Sequence, residues 1–448
     1  MHRVNMERIR AWMKEHKITE VECLIPDFTG NARGKILPAD KFLKERGMRL
    51  PESIFVQTVT GDWPDDDDMI DPIEKDMVLV PDPNTLRFVP WAGEPTGQVI
   101  HDCYDTADNP VDISPRAVLR KVLGLYQDKG WTPVVAPEVE FFLVKTNEDW
   151  DYPLEPPIGR NGRPETARQS FSIDAVNEFD PIFEEMYDFC DAQGLEVDTL
   201  VHEQGAAQME INFLHGDALE LADQVFLFKR TMREAALRHK VYATFMAKPM
   251  EEEPGSSMHI HQSLVDQAGN NIFSTEQGEM SELFLNYIGG MQKYSRNAMA
   301  FFAPNVNSYR RLQFGDSAPT SVAWGVDNRT VGLRVPESPA NARRVENRFG
   351  GADANPYLAI AASLACGYLG MIEQLNPTDP LTTSAYDQPF ALNRTLEDSL
   401  IALEECQPLA EILGERFVKA FVAVKRKEYE TYSKVISSWE REYLLLNV

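Results

Sequence analysis

Four stretches of this chain combine an apolar strand pattern with charges that a buried strand does not tolerate alone. The run VVAPEVEFFLV, residues 134 to 144, has the apolar content of a buried strand, yet it sets Glu138 and Glu140 two residues apart, on one face. Burying one unpaired carboxylate costs several kcal/mol, and two side by side repel each other, so the pair needs a compensating positive charge. A divalent cation would supply it. Taken alone, the stretch also reads as an edge strand whose polar face meets water.

The same two-residue period recurs. AAQMEINF presents Gln208, Glu210 and Asn212, SSMHIHQSL presents His259 and His261, and RRVENRF presents Arg344, Glu346 and Arg348. The alternate positions, such as Met209, Ile211 and Phe213, are apolar and suit packing on helices. TVGLRVP reads as a further strand, while PIFEEMYDFCDAQG, DQVFLFKRTMREAALRHK and the chain from ANPYLAIAASLACGYLGMIEQL onward read as helices. One sheet must then carry a polar wall, in an α+β chain.

At 448 residues the chain exceeds one ordinary domain, and 43% hydrophobic residues suffice for sizeable cores. Residues 4 to 16 read as a helix, followed by strand, turn and strand in EVECLIPDFTGNARGKILP. The stretch VPDPNTLRFVPWAGEPTGQVIHDCYD reads as two short strands broken by prolines. A helix is expected from SPRAVLRKVLGLYQDKG, with Ser114 as its cap and Pro115 in its first turn. The domain boundary is placed before it, giving domains 1–109 and 110–448. Thr395 and Asp398 have capping-box spacing.

The net charge of −26 argues against generic binding to nucleic acid or an anionic membrane. Five cysteines lie scattered without CxxC pairing, which fits a reducing compartment and no thiolate metal site. The amphipathic first residues do not read as a signal peptide, and the expectation is a cytoplasmic enzyme. Glutamates with a histidine form a hard-cation set, suited to Mg²⁺ or Mn²⁺. Nearby arginines are what a transferring phosphoryl group requires.

DFTGNARGKILP, DMVLVPDPNTLR, PEVEFF, HEQGAAQMEINF, GSSMHIHQSL, NSYRRL, NRTVGLRVP and RRVENRFGGADANPYL, in this order, resemble the glutamine synthetase superfamily over nearly the whole chain. The resemblance implies an N-terminal β-grasp domain and a catalytic domain whose antiparallel sheet forms a funnel. It also implies assembly into stacked rings, a dodecamer being expected, with active sites between neighbouring subunits. Glu140, Glu203 and Glu210 would hold one divalent metal, and Glu138, His259 and Glu346 another, within a set of two or three ions per site. Glutamate would meet Glu140, Gly255, His259, Arg311 and Arg348. ATP would meet Ser263, Arg329, Arg334 and Arg344, with Arg329, Arg334 and Arg348 as the catalytic arginines. The implied chemistry is ATP-driven ligation of the glutamate γ-carboxylate to an amine through γ-glutamyl phosphate.

The chain departs from the family where ammonium is bound. In place of a PGYEAP-like loop it reads FGDSAP, so Ser317 takes the position of the glutamate, with Asp316 beside it. A DGSS motif is absent, and Glu52 in RLPESIF is the acid at the corresponding place, with Asp62 another occupant. Pro254 replaces an asparagine before Gly255. Losing the glutamate leaves room for a larger acceptor, which resembles the γ-glutamylpolyamine synthetases and directs attention to putrescine and related amines. The acidic run Asp65 to Asp68 could attract such a polycation or be a solvated loop. Ordinary glutamine synthesis and a catalytically silent structural relative are the alternatives.

Overall fold

A computed structural model describes residues 6–45, 47–65, 73–313 and 317–448. The first sheet contains β1 (Glu20–Pro26), β2 (Ala32–Pro38), β3 (Met48–Pro51), β4 (Asp76–Pro81), β5 (Arg87–Phe88) and β6 (Thr96–Tyr104). Their order is β2-β1-β6-β4-β3, with β5 on β6. Only the central pair β1 and β6 is parallel, and a parallel pair needs a long crossover between its strands. The helices Met6–Glu15 and Ala39–Glu45 accompany this sheet, in keeping with the expected grasp domain. The stretch expected to hold two short strands instead holds β5 and the nine-residue β6. Residues 96–104 contain no proline, so nothing interrupts the ladder. The acidic run lies mostly outside the described residues, and Asp65 pairs with Lys427 at 2.7 Å.

The second sheet contains β7 (Thr132–Lys145), β8 (Val197–His202), β9 (Gln208–Phe213), β10 (Gly216–Asp217), β11 (Val241–Thr244), β12 (Met258–Val265), β13 (Trp324–Val326), β14 (Leu333–Val335) and β15 (Val345–Asn347). The order is β13-β14-β15-β12-β7-β9-β8, with β10 and β11 on β7, and only β13 and β14 run parallel. Met209, Ile211 and Phe213 are buried on the apolar face. The helix Pro356–Glu373 packs on Glu282–Tyr294, and the two close in at Gly290 and Gly370. A Cβ at either would meet the other helix's backbone, at 2.3 Å from the Cys366 oxygen or 2.2 Å from that of Asn286. Among the described residues, Pro356–Glu373 is the only helix long and apolar enough to cross a membrane, and 83% of it is buried inside the fold.

Ser114 occupies the cap position of the helix Pro115–Gln127 without a side-chain cap bond. Arg116, one residue into that helix, links the first sheet to the helix Ala218–Arg238. Its guanidinium, 1% exposed, pairs with Asp82 and Asp102 from the first part and Asp223 from the second, at 2.5 to 2.8 Å. Three carboxylates around one arginine make this a joint that a single uncompensated substitution would break. Thr395 and Asp398 form the capping box of the helix Leu396–Glu404.

Candidate active site

Strand register assembles the polar wall. His259 lies opposite Glu138, which lies opposite Asn212, and Glu140 lies opposite Glu210. On the other flank, Glu346 lies between His261 and Arg334. Residues more than two hundred positions apart thus share one face. Ligand atoms of Glu138, His259 and Glu346 lie within 4.8 Å of one another, as do those of Glu140, Glu210 and His259. Glu203 stands apart from the expected trio. It follows β8 on a turn and lines a cavity beside Glu140, while His259 takes its place in the 4.8 Å group.

The charges in this wall are unequal. Burial, followed by the charges of Glu138, Glu140, Glu203 and Glu346, pushes the Glu210 carboxyl up to about 10. Burial and the Glu203 charge push Glu140 up to about 8, although the Ser257 N–H and hydroxyl both donate to its carboxylate, at 2.8 and 2.5 Å. Burial also raises Glu203, helped by Glu138. Glu346 behaves oppositely. Burial works against its ionisation, but Arg348, His259 and His261 hold it down at about 2. Arg348 donates to it at 2.5 Å and Arg334 at 2.9 Å. Burial likewise opposes the Glu138 charge, and hydrogen bonds with His259 and His261 outweigh it and hold this carboxyl below the usual range. Burial, then Arg348, push His259 down to about 4, leaving the neutral imidazole that binds metals.

On the Glu140 and Glu210 side, carboxylates that resist ionisation stand beside a neutral histidine, and the Arg311 charge that acts on Glu140 does not outweigh burial and the Glu203 charge. The donor set is all oxygen and imidazole, which fits a divalent cation of the Mg²⁺ or Mn²⁺ kind. On the Glu346 side, the Nε atoms of Arg334 and Arg348 are buried with no partner among the described residues, leaving donors for phosphate oxygens. Arg344 donates through Nε to Nδ1 of His261 at 3.2 Å. A guanidinium can only donate, so His261 carries its proton on Nε2, 3.0 Å from Glu138. Ser263 continues this face of β12, opposite Val134. Arg329 is exposed in a turn, and its charge acts on Glu203.

A small cavity of about 30 Å³ opens beside Glu140, lined also by Glu203, Gln204, Gln208, Gly255 and Ser317. Arg311 forms part of its wall and is anchored by donating to the backbone oxygens of Phe349 and Arg348, both at 2.9 Å. Burial lowers Arg311 to about 10, so it stays charged at neutral pH. Gly255 permits this approach, because a Cβ there would lie 2.5 Å from Arg311 Cγ. The Ser317 hydroxyl donates to Gln204 Oε1 at 3.3 Å. Asp316 lies outside the described residues. Within one chain Glu52 does not reach this cavity: it opens the short turn Glu52–Val56 and pairs with Arg416 at 2.8 Å.

Sequence reasoning placed His261 on the polar face but gave it no role, and it did not single out Gln204, Glu165 or His202. Glu165 accepts from the Ala207 N–H at 2.7 Å and meets His202 Nε2 at 3.1 Å. Only the period-two pattern flagged His261; His202 and Gln204 lie in the stretch HEQGAAQMEINF without being singled out there, and no local signal marks Glu165.

Room for hard cations, guanidinium donors for phosphate and an arginine-lined pocket for a carboxylate substrate define the class as an ATP-dependent ligase. The model of the glutamine synthetase catalytic domain matches residues 112–444. The chain is 35% identical to the γ-glutamylputrescine synthetase PuuA of Escherichia coli K12, over 98% of this chain and 95% of the relative. It is 32% identical to a glutamate–isopropylamine ligase of a Pseudomonas species, over 97% and 96%, and 34% identical to the glutamine synthetase of Halobacterium salinarum, over 83% of each. A solved structure of GmaS without ligand superposes with a TM-score of 0.84 at 28% identity, covering 97% of this chain and 98% of the other. The chain belongs to the glutamine synthetase family.

Proposed function

We propose that this enzyme joins the γ-carboxylate of glutamate to a primary amine, with a polyamine such as putrescine the foremost candidate, using ATP and passing through γ-glutamyl phosphate. The observation that carries this reading is the neutral acceptor side of the cavity, where Ser317, Ala318, Gln204 and Pro254 stand. Two relatives named for putrescine and isopropylamine support it. Ammonium as acceptor would need an acid at the place of Ser317, since a small cation is held by closely set carboxylates.

Glu138, His259 and Glu346 would hold one divalent ion and Glu140, Glu210 and Glu203 another. When bound, the ions neutralise charge on the transferring phosphoryl group and its carboxylate acceptor. Arg311 and the open space at Gly255 receive the glutamate. Arg334, Arg348 and Arg329 bind the phosphoryl oxygens as charge shifts from ATP to the γ-carboxylate. His261 and Arg344, with Ser263, lie towards the nucleotide. The amine arrives as an ammonium ion and must lose a proton to a nearby acceptor before attack. Self-association into rings, a dodecamer, would bring the Glu52 side of one chain to the cavity of its neighbour, and the role is placed in cytoplasmic polyamine catabolism.

The test is phosphate release from ATP with glutamate and Mg²⁺ across ammonium, putrescine, spermidine and small monoamines, with products identified by mass. A γ-glutamyl adduct of a polyamine is expected. Phosphate release that no amine stimulates would overturn the proposal.

A further inference from the structure

Residues 161–170 are solvent-exposed with one exception, Glu165, whose side chain is only 8% exposed. A buried carboxylate in an otherwise exposed loop calls for a reason, because burial without partners is unfavourable. Its partners all belong to the segment that carries Glu203 and Gln204 or to the loop itself. Oε2 accepts from the Ala207 N–H at 2.7 Å and meets His202 Nε2 at 3.1 Å, while Oε1 accepts from Gln169 at 3.2 Å. His202 Nδ1 in turn reaches the Glu203 backbone oxygen at 2.6 Å. The backbone adds a second tie, from Phe171 N–H to the His202 oxygen at 2.9 Å.

The turn thus held is strained. Ala207 adopts φ +56, the left-handed region that a residue with a Cβ avoids. Such a conformation persists only where the surroundings over-determine it. The adjacent Ala206 N–H donates to Glu253 at 3.0 Å, on the loop that leads to Pro254 and Gly255. Arg168 reaches the Glu252 oxygen of that same loop at 3.0 Å. The segment around Glu165 therefore ties together the two loops that bound the cavity, and the turn it fixes carries Glu203 and Gln204.

We propose that Glu165 is a positioning residue for the amine acceptor, setting turn 203–207 so that Glu203 and Gln204 face Ser317 across the cavity. The proposal rests on the reading that this cavity receives the amine. Glu140, Glu210 and His259 lie on strands and Arg311 on the helix Val306–Gln313, so of the residues assigned to metal and glutamate only Glu203, and Gly255 through its loop, depend on the segment around Glu165.

The experiment compares Glu165→Ala and Glu165→Gln with the wild type by steady-state kinetics and by hydrogen exchange of residues 203–208. Loss of one hydrogen bond, about 1.4 kcal/mol, corresponds to about tenfold. Glu165→Ala is expected to raise the amine KM about tenfold or more, raise the glutamate and ATP KM by less, and speed exchange in the turn. Glu165→Gln keeps an acceptor oxygen for Ala207 and should recover most of both effects. Unchanged exchange in Glu165→Ala, or an equal rise in all three KM values, would overturn the proposal. If the wild type uses no amine, the acceptor reading falls by itself, and the exchange result still decides whether Glu165 holds the turn.

Discussion

Replacing Glu210 by glutamine should stabilise the metal-free protein while removing its response to metal. Burial, followed by the charges of Glu138, Glu140, Glu203 and Glu346, moves the Glu210 carboxyl from 4.5 up to about 10. The folded, metal-free state therefore keeps a proton that the unfolded chain releases, and stability falls as pH rises from 4.5 towards 10. At pH 7 the group has passed about 2.5 units of that window, a penalty of roughly 3 kcal/mol at about 1.4 kcal/mol per unit. Glutamine carries no such penalty. An unfolding entropy of about 2.1 cal/mol/K per residue over 448 residues gives roughly 0.9 kcal/mol/K, so the gain is about 3 °C. The assay is thermal unfolding at pH 7 in a chelator and again in Mg²⁺. Wild type should gain stability on adding Mg²⁺, as a ligand that binds only the folded state requires. Glu210→Gln should start higher and gain less. A variant that unfolds at or below the wild-type temperature in chelator, with the full Mg²⁺ shift retained, would refute the reasoning.

Burial pushes His101 down to about 4 from 6.5, so the folded state stays neutral where the unfolded chain takes up a proton. Its contribution is complete above pH 6.5 and is lost as pH falls to 4, about 3 kcal/mol over the window; His101→Gln should show a shallower acid loss in thermal unfolding, and equal slopes would count against it. Gly255→Ala puts a methyl 2.5 Å from Arg311 Cγ and 2.7 Å from the Ala247 oxygen. Overpacking of that kind destabilises by about 1–3 kcal/mol, and displacing Arg311 should raise the glutamate KM more than the amine KM. Ser317→Glu restores an acid to the cavity and should lower kcat/KM for putrescine relative to ammonium, whereas an unchanged ratio would remove Ser317 as the determinant.

The polar wall was legible because a strand repeats its faces every second residue, so Glu138, Glu140, Glu210, His259 and Glu346 each declared a face without any knowledge of their neighbours. Which face meets which was not legible. The register that sets Glu346 between His261 and Arg334 depends on pairings between distant segments, and nothing local encodes it. Arg116 reads as one more charge on an amphipathic helix until Asp82, Asp102 and Asp223 surround it. Glu165 reads as a solvated loop residue for the same reason, its partner Ala207 lying 42 positions away. Glu52 was assigned to the acceptor from its place in the chain, and within one subunit its carboxylate is committed to Arg416.

The acceptor is proposed to be an organic amine because Ser317 stands in the cavity wall where ammonium use would place an acid. The direct measurement is kcat/KM for putrescine and for ammonium at saturating glutamate, ATP and Mg²⁺, with the γ-glutamyl product identified by mass. A ratio well above one in favour of putrescine is expected. A ratio below one, with glutamine as the product, would contradict it.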